Sequence, residues 1–205
     1  MPTQLFLRSI SSSLGGAGQL ALSTNRGGGS VTAITRTTAG GTNIPVTATA
    51  DGQALTWFSE PMPEGFTLTG TCTVNIRGRE AATSVNAGRG ILIERTNEAG
   101  VVQANIVADT TVPATIAEYT TTDAANAAFA PTVTSNTFAV GDRIKVTLKV
   151  RNAGTMGANA SGVTNSYDSR GAAAVGDTYI TFSQDFRPAV PVDFPMNYAG
   201  RGGYG

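Results

Sequence analysis

The stretch Phe66-Thr-Leu-Thr-Gly-Thr-Cys-Thr-Val-Asn-Ile-Arg77 alternates from end to end. Phe66, Leu68, Gly70, Cys72, Val74 and Ile76 share one face, and Thr67, Thr69, Thr71, Thr73, Asn75 and Arg77 share the other. A period of two with apolar residues on one side is the pattern of a half-buried β-strand. Threonine on the wet side suits a pleated surface.

Outward from this strand the same signature recurs. Gly90 to Thr96 and Val101 to Ala108 flank Asn97-Glu-Ala-Gly100, a connection that reads as a β-hairpin. Arg143 to Arg151 alternates, with Ile144, Val146, Leu148 and Val150 on the core side. Arg143, Lys145, Thr147, Lys149 and Arg151 lie opposite; the four charged residues read as a solvated stripe, with docking on an acidic neighbour as the alternative. Tyr179 to Phe186 puts Ile180, Phe182 and Phe186 on one face, and Val163 to Tyr167 forms a further strand. The Ala- and Asn-rich text from Thr122 to Ala128 reads as either a helical turn or a loop. Ala-Val-Gly-Asp occurs at 139–142 and again at 174–177, each time before a strand, with Gly and Asp supplying turn geometry. No segment carries a convincing helical period. The expected class is all-β: an antiparallel β-sandwich of jelly-roll type over residues 54–187.

The flanks differ in composition. Residues 1–53 are rich in Gly, Ser, Thr and Ala, with short β-prone pieces at Leu5–Leu7, Leu20–Leu22, Val31–Ile34 and Ile44–Thr49. Residues 188–205 carry Phe194, Tyr198 and Tyr204 spaced by Pro and Gly. Such segments bury too little apolar surface to offset their ordering entropy. Both are read as extended arms held by something outside the chain; residues 1–53 would pair with the chain's own core or with neighbours, and the aromatic anchors of 188–205 suit pockets on a partner.

Composition narrows the chemistry. The 205 residues carry no net charge, and 14% of them are charged. A neutral chain is a poor nucleic-acid binder, and it has no polybasic run for a membrane surface. It contains no histidine and one cysteine, which removes imidazole bases, histidine ligands and any internal disulfide. The N-terminus does not read as a signal peptide, and no stretch approaches a membrane span. Cys72 lies on the apolar face and reads as a small buried hydrophobe. Gly27-Gly-Gly29 lacks the Lys-Ser/Thr of a phosphate loop. Asp142 and Asp177 read as turn caps in preference to calcium ligands. Trp57, the only Trp, reads as a core or contact residue in preference to a sugar platform. Glu60, Glu64, Glu80, Glu94, Glu98 and Glu118 have no context for paired-carboxylate catalysis. No cofactor is expected.

Two groups of residues resemble a known family. Leu5-Phe-Leu-Arg-Ser-Ile-Ser-Ser-Ser-Leu-Gly-Gly16 with Ala21-Leu-Ser-Thr-Asn-Arg-Gly27 resembles the start of particle-associated proteins of tailed bacteriophages. Leu55-Thr-Trp-Phe-Ser-Glu-Pro61, Phe66 to Gly70, Ile93-Glu-Arg95 and Val140-Gly-Asp-Arg-Ile144 are similar to the jelly-roll domain of those proteins. The resemblance implies a non-enzymatic virion protein, assembled in the host cytoplasm and decorating the capsid exterior. Its partners would be the major capsid protein or other virion proteins, with trimeric self-association and neither nucleic acid nor membrane bound. Leu5, Phe6, Leu7, Trp57, Phe194, Tyr198, Arg201 and Tyr204 are the expected contact residues. The alternative is a tail or fibre component that binds host-surface glycan.

Overall fold

Short β-branched and apolar runs settle into strands because none is long or periodic enough for a helix. A computed structural model describes residues 1–16, 19–24, 32–35, 56–80, 83, 87–111, 120–122, 124–125, 128–152, 163–167 and 178–188. No helix occurs among the described residues. The strands are β1 Thr3–Ser11, β2 Gln19–Ser23, β3 Thr32–Thr35, β4 Thr56–Ser59, β5 Phe66–Leu68, β6 Cys72–Asn75 and β7 Arg77–Glu80. They continue with β8 Ala87–Thr96, β9 Val102–Thr111, β10 Ala124–Ala125, β11 Asn136–Phe138, β12 Arg143–Asn152, β13 Val163–Tyr167 and β14 Tyr179–Phe182.

The class is all-β, as the alternation predicts. One eight-stranded sheet dominates, in the order β6-β14-β1-β2-β4-β12-β8-β9. A four-stranded sheet (β10-β7-β13-β3) and a two-stranded one (β11-β5) accompany it. The large sheet is mixed: β2 and β4 run parallel, with Leu20 beside Trp57 and Leu22 beside Ser59.

The opening stretch is one amphipathic run but not one strand. Leu68, Cys72, Val74 and Ile76 are buried, and Thr67, Thr69, Thr71 and Thr73 are exposed, as the alternation requires. The chain bends at Gly70, whose φ of 91° favours glycine. A Cβ there would stand 2.5 Å from Ser183 Oγ. The bend lets β5 join the two-stranded sheet, β6 the eight-stranded one and β7 the four-stranded one. A strand that changes sheets at a bend is how β-layers turn corners.

β1 lies inside the large sheet, between β14 and β2. The first strand of the segment read as an arm is thus pinned on this chain's own core. Residues 25–31 and 36–55 lie outside the described residues, as does everything after Pro188.

The large sheet is curled. Seven gaps of about 4.8 Å would put the outer strands of a flat eight-stranded sheet about 34 Å apart. Phe129 exchanges backbone bonds with Val74 of β6 (2.8 and 3.1 Å), and Thr134 donates to Ile106 of β9 (2.7 Å). Residues 129 to 134 reach at most about 18 Å. With one strand spacing at each end the outer strands are within about 28 Å. Accordingly, one apolar cluster takes in Val74 of β6, Leu5 of β1, Trp57 of β4, Val146 of β12 and Ile106 of β9.

Candidate functional site

The strand registers bring several chain ends to one end of the large sheet. Thr3 pairs with Phe182, Phe6 with Ser23, Leu22 with Ser59 and Arg143 with Thr96. The start of β1 and β12 therefore meets the ends of β2, β4, β8 and β14. Rigid connections that converge at one end of a sheet are where β-folds carry function.

Arg143 organises half of this end. It is 5% exposed. Its Nε donates to the Glu98 carbonyl (3.0 Å), and its Nη1 to Ser13 Oγ (2.8 Å) and the Ser59 carbonyl (3.0 Å). Glu60 Oε2 stands 3.9 Å from the same nitrogen. One guanidinium thus ties the β1–β2 loop, the end of β4 and the β8–β9 turn to the start of β12. Ser59 Oγ accepts the Ile144 N–H (2.9 Å) and donates to the Glu60 carbonyl (2.9 Å), so its hydroxyl is structural.

Two more pairs flank this hub. Asp142 Oδ2 accepts from Arg95 Nη1 (2.9 Å) and from the Ala139 N–H (2.9 Å), closing the 139–142 turn over Gly141 at φ 89°. Asp142 is the turn cap that the Ala-Val-Gly-Asp text predicts; the copy at 174–177 lies outside the described residues. Lys145 Nζ stands 2.7 Å from Glu94 Oε2, an ion pair between two largely buried side chains. The predicted solvated stripe is therefore corrected at its first two members. A single sheet face predicts exposure, but here the β1–β2 loop folds back. Leu14 Cδ1 stands 2.9 Å from where a Gly100 Cβ would be, with Phe58 Cε1 at 3.5 Å from that point.

The other half of this end is a groove of about 320 Å3 between Met1–Gln4, Phe6, Thr24 and Asp185–Arg187. A smaller hollow of about 40 Å3 lies across the same Asp185–Arg187 segment, against Met62–Glu64 and Phe66. Thr3 holds that segment in place. Its hydroxyl donates to the Phe186 carbonyl (2.7 Å) and accepts the Phe186 N–H (2.8 Å). The Phe186 ring stacks on Phe66 (5.1 Å) and meets Phe182 edge-on (5.4 Å). Asp185 takes the Met1 amine at 3.1 Å, and Arg187 Nε lies 3.9 Å from its other oxygen. The side chains of Asp185 and Arg187 are 48% and 72% exposed, so these pairs are weak and exchangeable.

The groove offers opposite charges on a rigid wall, which suits binding and orienting a polar partner. Among the described residues the groups that break bonds are not assembled beside it. Burial pushes the Cys72 thiol up to about 12, so it is no nucleophile at neutral pH. Among the described residues no three His, Cys, Asp or Glu side chains are grouped to hold a metal.

The expected contact residues are placed as follows. Leu5, Leu7 and Trp57 are each 0% exposed and share the core cluster. Trp57 Nε1 donates to the Arg8 carbonyl (3.0 Å). Phe6 is half-buried at the groove, tilted against Tyr179 at 5.8 Å. Phe194, Tyr198, Arg201 and Tyr204 lie outside the described residues. Thr3, Asp185 and Arg187 carried no signal in the sequence, since their relation spans nearly the whole chain.

No known family's sequence pattern matches the chain, and no curated protein matches it. Solved structures do share its fold. It is similar to an α-amino acid ester hydrolase (14% identity, TM-score 0.55), with 88% of this chain and 36% of that one covered. It is similar to an aminopeptidase from a marine sediment archaeon, Thaumarchaeota archaeon (11%, TM-score 0.56, the same coverage). A CocE/NonD family hydrolase from Staphylococcus aureus follows at 7% and TM-score 0.53, with 89% and 36% covered. The chain spans little more than a third of the length of these proteins.

These neighbours overturn the phage resemblance. They are hydrolases and not virion proteins. The reading as a non-enzymatic capsid-decoration protein sited in the virion is corrected accordingly, and the glycan-binding fibre alternative gains no support. The motifs behind the resemblance have local explanations. Val140 to Ile144 is a capped turn opening β12, and Thr56–Ser59 is an interior strand. Such turn-and-strand chemistry recurs across β-folds and does not identify one family.

Proposed function

We propose that the chain is the all-β module of a larger hydrolase of the ester- or peptide-cleaving kind. One observation carries this: the architecture matches three hydrolases over 88–89% of this chain yet only 36% of theirs. The absence of histidine supports a division of labour. Acyl transfer by a serine or cysteine nucleophile needs a nearby base, most often an imidazole. In this proposal that base sits in the remaining part of the enzyme. The module contributes the preorganised end of its sheet, where Arg143 locks the loops and Asp185 and Arg187 face the groove. Rigid placement of groups beside a reacting centre lowers the entropic part of a barrier.

The test is isolation of the protein from its native setting by an affinity tag. The eluate is assayed for hydrolysis of α-amino acid esters and aminoacyl nitroanilides. Turnover that elutes with the protein and disappears on its depletion is the expected result. Full recovery of the protein without such turnover would sink the proposal.

A further inference from the structure

The two turns beside Arg143 carry apolar side chains into solvent. Arg143 pairs with Thr96, so the 139–142 turn before β12 lies next to the 97–100 turn after β8. Val140 is 70% exposed, Val101 57% and Val102 42%; with Met1 these are the exposed large apolar side chains among the described residues. Ala99 and Ala139 are exposed on the same turns. Apolar side chains gathered at one exposed place mark a surface where another body sits.

These tips are held in place by the chain itself. The Asn97 N–H donates to the Val101 carbonyl (2.9 Å), and the Asn97 side chain accepts the Val101 N–H (2.9 Å). The Gly141 N–H donates to the Met62 carbonyl (2.9 Å), and the Met62 N–H to the Asp142 carbonyl (2.8 Å). Arg143 ties one turn to the other through the Glu98 carbonyl. Preordered loops lose little entropy on docking. The exposed Glu98 side chain reaches the second turn, with Oε2 3.4 Å from where a Gly141 Cβ would be. The cations of this end face other carboxylates, Arg95 that of Asp142 and Lys145 that of Glu94. The tip thus offers valines and a carboxylate together.

We propose that Val140 and Val101, with Glu98, form the seat for the nucleophile-bearing part of the hydrolase, which meets them with an apolar hollow and a basic side chain facing Glu98. The inference rests on the hydrolase reading above and adds the face on which the two parts meet. Two observations favour that occupant. The similar hydrolases extend well beyond this architecture, since 36% of each is covered. The tip is also continuous with the groove end. The Met62–Glu64 segment bonds to the 139–142 turn through Met62 and lines the hollow against Asp185–Arg187. A body seated on the tip therefore stands beside the groove.

The test isolates the protein from its native setting as wild type and as Val140→Asp, Val101→Asp and Glu98→Lys. Thr73→Asp is the control, exposed on β6 and five strands from β12 in the sheet order. Hydrolysis of an α-amino acid ester is read per mole of chain, with the urea midpoint alongside. Each Asp variant should lose about tenfold or more of the co-eluting turnover, the worth of a central interface residue. Glu98→Lys should slow reassociation by setting like charges face to face. Thr73→Asp should keep the turnover, and the urea midpoints should stay near wild type because these positions are exposed. Benzoylphenylalanine at position 140 should cross-link to the polypeptide that carries the turnover. That cross-link needs neither Asp variant, so it decides the case if one of them melts early. Turnover undiminished in both Asp variants, or cross-links from position 140 that reach other polypeptides alone, overturns this inference and leaves the hydrolase reading standing. A wild-type isolate without turnover overturns both.

Discussion

Replacing Arg143 by Met tests the buried hub. The substitution keeps most of the apolar stem and removes the donors to Glu98, Ser13 and Ser59. It also leaves the carboxylate of Glu60, 6% exposed, without the cation 3.9 Å away. That gap is long for a direct bond, so most of the loss should come from the acceptors left bare. Net values of about 1.5–3 kcal/mol per charged hydrogen bond do not add fully. Removing one member of a buried charged network costs about 3–5 kcal/mol, and that is the expected range. In a chain of this size it lowers the melting midpoint by roughly 6–20 °C. Urea unfolding followed by Trp57 emission should show a lower midpoint at unchanged slope. Arg143→Lys should fall between, because one ammonium cannot span all the acceptors. Adding Glu60→Gln to Arg143→Met should recover part of the loss. A cost under about 1 kcal/mol, the worth of an exposed ion pair, would refute the reasoning and return Arg143 to a solvated stripe.

Other expectations follow from single contacts. Thr3→Val strips both backbone groups of Phe186 of their partner. It should cost about 1–3 kcal/mol and speed hydrogen exchange of residues 183–187. Gly100→Ala forces a side chain onto φ 82° and into Leu14, and should destabilise by about 1–2 kcal/mol in the same urea assay. Cys72 should resist thiol reagents at pH 8 in the native state and react on unfolding. Burial raises its folded pKa from 9.0 to about 12, so the folded form holds its proton longer than the unfolded one. Its contribution to stability is intact below pH 9.0 and is lost as pH climbs toward 12. Cys72→Ala should flatten that loss in a pH series of unfolding midpoints.

Local chemistry was legible in the sequence. The two faces of 66–77 and the core side of β12 follow from period-two alternation. The β8–β9 turn follows from Asn97 and Gly100: the Asn97 side chain accepts the Val101 N–H at 2.9 Å, and Gly100 takes positive φ. Long-range relations were not legible. The corner at Gly70 depends on Ser183, and the clasp of Phe186 on Thr3, more than a hundred residues away in each case. The parallel β2–β4 pair leaves no mark in alternation, which is the same for either direction. Arg143 and Lys145 have the pattern of exposed residues because alternation reports one sheet face, not the loop folded onto the other. At the candidate site, Phe6 was singled out beforehand; Asp185 and Arg187 have no local signature.

The most direct measurement follows hydrolysis of an α-amino acid ester by the natively isolated protein as temperature rises, with and without Arg143→Met. The activity should be present, and its inactivation midpoint should fall by as many degrees as the melting of the β-module. Absence of ester or amide hydrolysis, or activity that survives unchanged after the module has melted, would contradict the account.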